Sequence, residues 1–207
     1  MITIIDLGIS NIKSITRGFI TQGFEVRVTD DPDQVGRAES LVLPGVGAFP
    51  KAVQVLKESR LLERVQQHGL SGRPLMGICL GMQLLFTESE EHGLTRGLDL
   101  IPGRVVSFPK DRPVPHMGWN EVVQTKKSLL FRDVPQRADF YFVHSYYALP
   151  EDSASEIAFS DHYGRFSAAF QRGNIFGTQF HPEKSQRNGL FLLRNFALLT
   201  EVSGEVR

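Results

Sequence analysis

Along the first half of the chain, short apolar runs alternate with stretches whose apolar residues recur every three or four positions. "ITIID" is β-branched and reads as a strand. Ser10 then stands where a helix N-cap belongs, Ile12, Ile15, Phe19 and Ile20 follow at helical spacing, and Gly23 closes that helix. "FEVRVT" alternates as a strand does, and "SLVLPG" is a short buried strand ended by Pro-Gly. Ala52, Val53, Leu56, Leu61, Leu62 and Val65 mark a helix broken or bent near Ser59. "RPLMGIC" is a fourth buried strand and "GMQLLFTES" a further helix. Strands of nearly continuous apolar character, alternating with helices, predict an α/β fold whose parallel sheet is covered on both faces.

The second half has a different texture. "LIPGRVVSF", "WNEVVQ", "FYFVHSYYAL", "EIAFS", "RFSAAFQ" and "IFGTQF" are short segments separated by Gly, Pro, Asp and Asn, which predicts hairpins and an antiparallel or mixed extension of the sheet. A last helix runs from about Gln186 to Leu199, with Leu190, Leu193, Ala197 and either Phe196 or Leu199 turned inward. No repeat, low-complexity linker or shift in composition divides residues 1–207, so one domain is expected.

Composition narrows the function classes. With 207 residues, 41% of them hydrophobic and 22% charged, the chain reads as an ordinary soluble globular protein. Its 23 basic and 23 acidic side chains cancel. That balance provides no electrostatic footprint for nucleic acid and no polybasic handle for a membrane. "MITIIDLG" has no basic n-region, and no apolar run reaches membrane-spanning length. One cysteine permits no internal disulfide and suggests no structural zinc. A cytoplasmic protein without metal is the expectation.

That single cysteine lies in "GICLGMQLL", residues 77–85. A lone cysteine is often only a small core residue. Here Gly77 and Gly81 flank Cys79 at −2 and +2, a coincidence expected about once in two hundred. A strand also ends, and a helix begins, at this point. A nucleophile on a strand-to-helix turn needs small neighbours, and the helix start lowers a thiol pKa from ~8.5 toward neutral. The Leu80 N–H then faces the place where an oxyanion would form.

A thiolate nucleophile needs a base, and the base an orienting group. Of the six histidines, His68 reads as a helix C-terminal dipole partner, His92 and His162 as solvated loop residues, and His144 as either core or pocket-lining. His181, in "GTQFHPEKS", lies at the end of a buried strand, and ligands bind at the carboxyl ends of strands in an α/β sheet. Glu183 is two residues on, and if Pro182 keeps the backbone extended both side chains point the same way. The alternative is a plain turn with a solvated His and Glu. Beside the Cys79 elbow, the triad Cys79, His181, Glu183 is the better reading. In "LVLPGVGAF", Gly45 and Gly47 flank Val46 in a loop at a strand end, which can donate the second half of an oxyanion hole.

PGVG, GICLGMQ and HPE in this order resemble the class I, triad-type glutamine amidotransferases over essentially the whole chain. Within them the chain is most similar to the glutaminase subunit of imidazole glycerol phosphate synthase. "DLGISNIKS" resembles that family's D-Y-G-x-G-N start with Leu7 and Ser10 substituted, and "PHMGWN" (115–120), "YFVHSYY" (141–147) and "HPEKSQ" (181–186) match as well. The resemblance implies a flavodoxin-like sandwich and hydrolysis of L-glutamine to glutamate and ammonia through a Cys79 thioester, without a cofactor. It further implies that Gln83 binds the glutamine head group, helped by Glu91 and the Ser145–Tyr146 backbone. A (β/α)₈ cyclase is the implied partner, receiving ammonia through a channel and making imidazole glycerol phosphate in histidine biosynthesis. Asn11, His116, Met117, Trp119, Tyr141 and Lys184 are the implied interface, and the PGVG segment is implied to be set for catalysis only when the partner docks. Rival readings are a glutaminase for anthranilate, pyridoxal phosphate or guanylate synthesis, a stand-alone γ-glutamyl cysteine hydrolase, and a non-catalytic flavodoxin-like module with a structural cysteine.

Overall fold

The computed structural model describes residues 1–8, 11–109, 111 and 113–204, with 200–204 as backbone only. Its strands are β1 (Ile2–Ile5), β2 (Val26–Thr29), β3 (Ser40–Gly45), β4 (Leu75–Cys79), β5 (Phe86–Ser89), β6 (Thr95–Arg96), β7 (Ile101–Ser107), β8 (His116–Gln124), β9 (Ala138–His144), β10 (Tyr146–Pro150), β11 (Glu156–Asp161), β12 (Arg165–Arg172) and β13 (Ile175–Thr178). The α-helices are α1 (Ile12–Ile20), α2 (Pro32–Arg37), α3 (Phe49–Glu58), α4 (Leu61–Leu70), α5 (Leu80–Leu84) and α6 (Gln186–Gly204).

Nine strands form one sheet in the order β2-β1-β3-β4-β13-β12-β11-β8-β9. The pairings from β2 to β13 are parallel and those from β13 to β9 antiparallel. The alternation of strand residues explains the two-sided core. Val42, Met76 and Ile78 face one side, where α1 and α6 bring Ile15, Phe19, Leu193 and Phe196. Leu41, Leu43 and Leu75 face the other, where Val35, Val53, Leu56, Leu61 and Val65 of α2, α3 and α4 cover them. Both faces of β1, β3, β4 and β13 are therefore dry, as their apolar runs require, while the edge strand β2 leaves Arg27 and Val28 exposed.

Several local expectations need correction. Ser10 lies outside the described residues, and the cap of α1 is Asn11, whose side-chain oxygen accepts from Ser14 N at 3.4 Å. Ile20 is 56% exposed rather than inward. The helix expected over "GMQLLFTES" stops at Leu84, and Phe86–Ser89 is a strand. Carbonyls that a longer helix would use are taken by an incoming segment, with Leu98 N on Leu84 O at 2.8 Å and Leu100 N on Leu85 O at 2.9 Å. Leu190 is only partly buried, and Leu192 takes the inward place beside Leu193, Phe196 and Ala197. Helix α2 was not anticipated, although Asp31 accepting from Asp33 N at 2.8 Å, with Pro32 next, is a recognisable helix start.

The apolar run "FYFVHSYYAL" is not one strand. It breaks at Ser145, with β9 staying in the large sheet and β10 joining a second sheet ordered β10-β7-β5-β6. The two pieces diverge beside the carboxyl end of β4.

Candidate active site

Strands β3, β4 and β13 are adjacent and parallel, so the ends of three sequence-distant segments meet. Gly45 is in register with Cys79, and Ile78 with Thr178. Cys79 has φ 55° and ψ −114°, a backbone conformation that costs an L-residue on the order of 1–3 kcal/mol and persists only when its surroundings enforce it. They do so here. A Cβ on Gly81 would run into the Leu43 carbonyl, and one on Gly77 would lie 2.6 Å from Met82 Cα, so the elbow is pressed directly against β3. Its sulfur is 3.9 Å from both Val143 O and Gln179 Nε2.

His181 Nδ1 is 2.8 Å from Glu183 Oε1, and both side chains are almost fully buried. The carboxylate accepts, so Nδ1 carries the proton and Nε2 is directed to the cysteine. The backbone between them is not extended as expected. His181 is extended, but Pro182–Lys184 form a turn of 3₁₀ helix that carries Glu183 back under the ring. Ser185 fastens this turn, its hydroxyl donating to His181 O at 2.6 Å while accepting from Tyr141 N at 3.0 Å. His181 N also donates to Tyr141 O at 2.9 Å. Burial opposes charge on the imidazole, but the facing Cys79 sulfur and the Glu183 carboxylate outweigh it and lift the His181 pKa to about 10. At neutral pH the ring is an imidazolium poised to donate from Nε2.

In front of Cys79 opens a cleft of about 260 Å³ lined by Val46, Gly47, Leu80, Gln83, Glu91, Ser145 and Tyr146. It is smaller than the pockets that take drug-sized ligands and suits a free amino acid. Gly45 does not line it. That residue lies beneath, where a Cβ would be 3.1 Å from Leu80 Cβ. Val46 is 40% exposed and Gly47 has φ +98°, at the cleft edge. Gln83 Nε2 donates to Tyr146 O at 2.9 Å and to Gln179 Oε1 at 3.0 Å. Glu91 Oε2 accepts from Phe49 N at 2.7 Å, which brings a carboxylate to the start of α3 as well as to the cleft.

Sequence reasoning missed Pro115, Val143 and Gln179. Gln179 is fully buried two residues before His181, a position where a polar side chain ending an apolar strand was the available signal. His144 is both buried in the aromatic core and a lining residue of the cleft.

Of the interface candidates, Met117 and Trp119 are 62% and 49% exposed on β8. Trp119 meets the Tyr141 ring edge-on at 6.1 Å, and the Lys184 ammonium lies 5.6 Å from the same ring. Asn11 is exposed at the start of α1. His116 does not belong with them. It is buried, with Nδ1 2.9 Å from His144 Nε2. His162 is not a solvated loop residue either, since its ring stacks on His116 at 4.0 Å. His68 is no dipole partner; burial drives its pKa down to about 4, and Nε2 bonds Pro74 O at 3.0 Å. His92 is exposed, as read.

The class-I glutamine amidotransferase family profile matches residues 3–199. Among curated relatives, the chain is 51% identical to "Imidazole glycerol phosphate synthase subunit HisH" of Syntrophotalea carbinolica, over 95% of this chain and 98% of that one. It is 46% identical to the protein of the same name in Moorella thermoacetica, over 98% and 97%. Solved structures share the fold at low identity. PurLQS from Thermotoga maritima superposes with TM-score 0.74 at 14% identity, over 96% of this chain and 97% of that one. The glutaminase domain of Trypanosoma brucei CTPS with bound acivicin gives 0.65 at 14%, over 95% and 93%. The strained cysteine, its buried histidine–glutamate pair and the amino-acid-sized cleft thus occur in a chain that belongs to the class-I glutamine amidotransferases, in the family of imidazole glycerol phosphate synthase HisH subunits.

Proposed function

We propose that the chain, acting as one amidotransferase domain, hydrolyses L-glutamine and passes the ammonia to a (β/α)₈ cyclase that makes imidazole glycerol phosphate for histidine biosynthesis in the cytoplasm. The observation that carries this reading is the pairing of Cys79, in its enforced turn, with a buried imidazolium held by Glu183 at 2.8 Å. In the bound substrate the head group lies against Gln83 and the Ser145–Tyr146 backbone, and the Glu91 carboxylate balances its ammonium. The Cys79 thiolate attacks the side-chain amide carbon. Negative charge moves to the amide oxygen, which the Leu80 N–H and the Val46–Gly47 loop receive. The proton on His181 Nε2 passes to the amide nitrogen, the C–N bond breaks, and ammonia leaves a γ-glutamyl thioester. Neutral His181 then takes a proton from water, whose oxygen attacks the thioester. Collapse frees glutamate and restores the thiolate–imidazolium pair.

Gly47 sits in open space, so the loop has room to turn an N–H toward the oxyanion when a partner covers Met117, Trp119, Tyr141 and Lys184. Glutaminase activity is therefore expected to be weak in the isolated chain and to rise sharply with the cyclase and its nucleotide ligand. Full activity without partner would refute that point. The deciding experiment is Cys79→Ala in the complex. Synthesis from glutamine should fall to background while synthesis from an added ammonium salt stays intact. Retained glutamine-dependent synthesis would remove Cys79 from the mechanism.

A further inference from the structure

Beside the cleft lies a group of buried titratable rings that take no part in the steps above. His144 Nδ1 is 2.8 Å from Tyr146 O, an atom that can only accept, so this nitrogen carries a hydrogen. Burial keeps the His144 ring neutral, with its pKa pushed down to about 3, and Nε2 is therefore bare. It accepts from His116 Nδ1 at 2.9 Å. His116 is neutral for the same reason, at about 4, so its own Nε2 is the acceptor for Asn120 Nδ2 at 3.2 Å. Asn120 is anchored in turn, donating to Asp161 O at 2.7 Å and accepting from Glu121 N at 2.8 Å. Donation thus runs in one direction, from Asn120 through both imidazoles to the Tyr146 carbonyl. Only this pair of tautomers satisfies all four ring nitrogens; the opposite tautomer of either ring sets two donors or two bare nitrogens face to face.

The ring planes are fixed by packing. His116 is sandwiched between Phe142, at 4.9 Å and 25°, and His162, at 4.0 Å and 18°. Phe108 and Phe166 close on His144 at 5.2 and 5.1 Å. At the far end, the Tyr146 carbonyl also receives Gln83 Nε2, whose side chain faces the cleft. At the near end, His116 and His144 are directly opposed across β8 and β9, and the next residue of β8, Met117, points into solvent.

We propose that the His116–His144 pair is a positioning relay that locks the Tyr146 carbonyl orienting Gln83, and that ties this setting to Asn120 and the outward-facing strand β8. The proposal rests on the glutaminase reading of the cleft. Loss of the relay should weaken hold of glutamine without touching the bond-breaking groups, so the effect should appear in KM rather than kcat.

The first measurement needs no activity. In the full-length ¹⁵N-labelled chain, imidazole nitrogen shifts should report hydrogen on Nδ1 and a bare Nε2 for both His116 and His144. An Nε2–H tautomer at either ring overturns the relay. The second measurement uses the complex with its cyclase. His116→Phe keeps an aromatic ring in the sandwich but cannot donate. It should raise KM for glutamine about tenfold with kcat within about threefold, leaving ammonium-dependent synthesis unaffected. His116→Asn, whose amide nitrogen takes the place of Nδ1, should recover most of the loss. Equal losses in the two variants, or an unchanged KM in His116→Phe, overturn the relay alone; should that variant fail to fold, the wild-type tautomers decide. A wild-type complex that turns over no glutamine overturns the glutaminase reading and the relay with it.

Discussion

His181 and His144 are both buried and close enough to influence each other's charge, yet they settle in opposite states. His181 is held protonated to about pH 10, and His144 stays neutral down to about pH 3. Burial acts identically on the two, disfavouring the charged ring. What differs is the neighbour. His181 has a carboxylate at 2.8 Å and the Cys79 sulfur facing it. His144 has a carbonyl and another imidazole, which reward one hydrogen but not two. The same residue type is thus held charged on one side of the cleft and neutral on the other.

The sharpest way to break this contrast is Glu183→Gln. The amide removes the charge that sustains the imidazolium and can offer a donor to Nδ1, favouring the wrong tautomer. Glutamine turnover in the complex should fall by roughly 10³–10⁴-fold, by analogy with loss of the orienting carboxylate in other triads. Retention of more than about a tenth of the activity would mean that Glu183 does not set the state of His181. A second test follows the alkaline limb of kcat/KM. In the proposed mechanism His181 donates its proton to the leaving nitrogen, so activity should hold from neutral pH and decline as pH rises toward about 10. In any residual activity of Glu183→Gln that limb should move to lower pH.

Stability offers a smaller effect. The His181 pKa is raised on folding, so its contribution is fully present below about pH 6.5 and is lost as pH rises through about 10. For His68, His116 and His144 the folded pKa is depressed, so between pH 6.5 and about 4 the unfolded chain takes up protons that the fold refuses, and stability falls. His68 lies away from the cleft and isolates this effect, worth up to about 3 kcal/mol at pH 4. Urea unfolding of His68→Gln across this range should show an acid slope shallower by about one proton, with glutaminase activity unchanged. An identical slope would mean that His68 is charged in the fold.

The two halves of the molecule were not equally legible in the sequence. In the parallel half, apolar runs ending in Pro44-Gly45 and at Cys79 placed the loop and the cysteine, because a strand buried on both faces announces itself and its end is where side chains become available. His181 could be found for the same reason. The antiparallel half concealed more. "FYFVHSYYAL" gives no sign that Ser145 divides it between two sheets, since that break is made by pairing with β8 on one side and β7 on the other. His116 is assigned to the interface by the family resemblance alone, together with its neighbours in "PHMGWN", and only the opposing His144 shows that its ring turns inward. The 3₁₀ turn under His181 brought Glu183 to the ring by a route that two-residue spacing alone does not reveal.

Ser145 carries a consequence for how such a chain can diversify. Ser145 itself is half-buried between the last rung of one sheet and the first of the other, lines the cleft and belongs to neither core. Changes there alter the shape offered to a small molecule while both cores keep their packing. A lineage can therefore exchange the metabolite it accepts without first losing, and then rebuilding, its ability to fold.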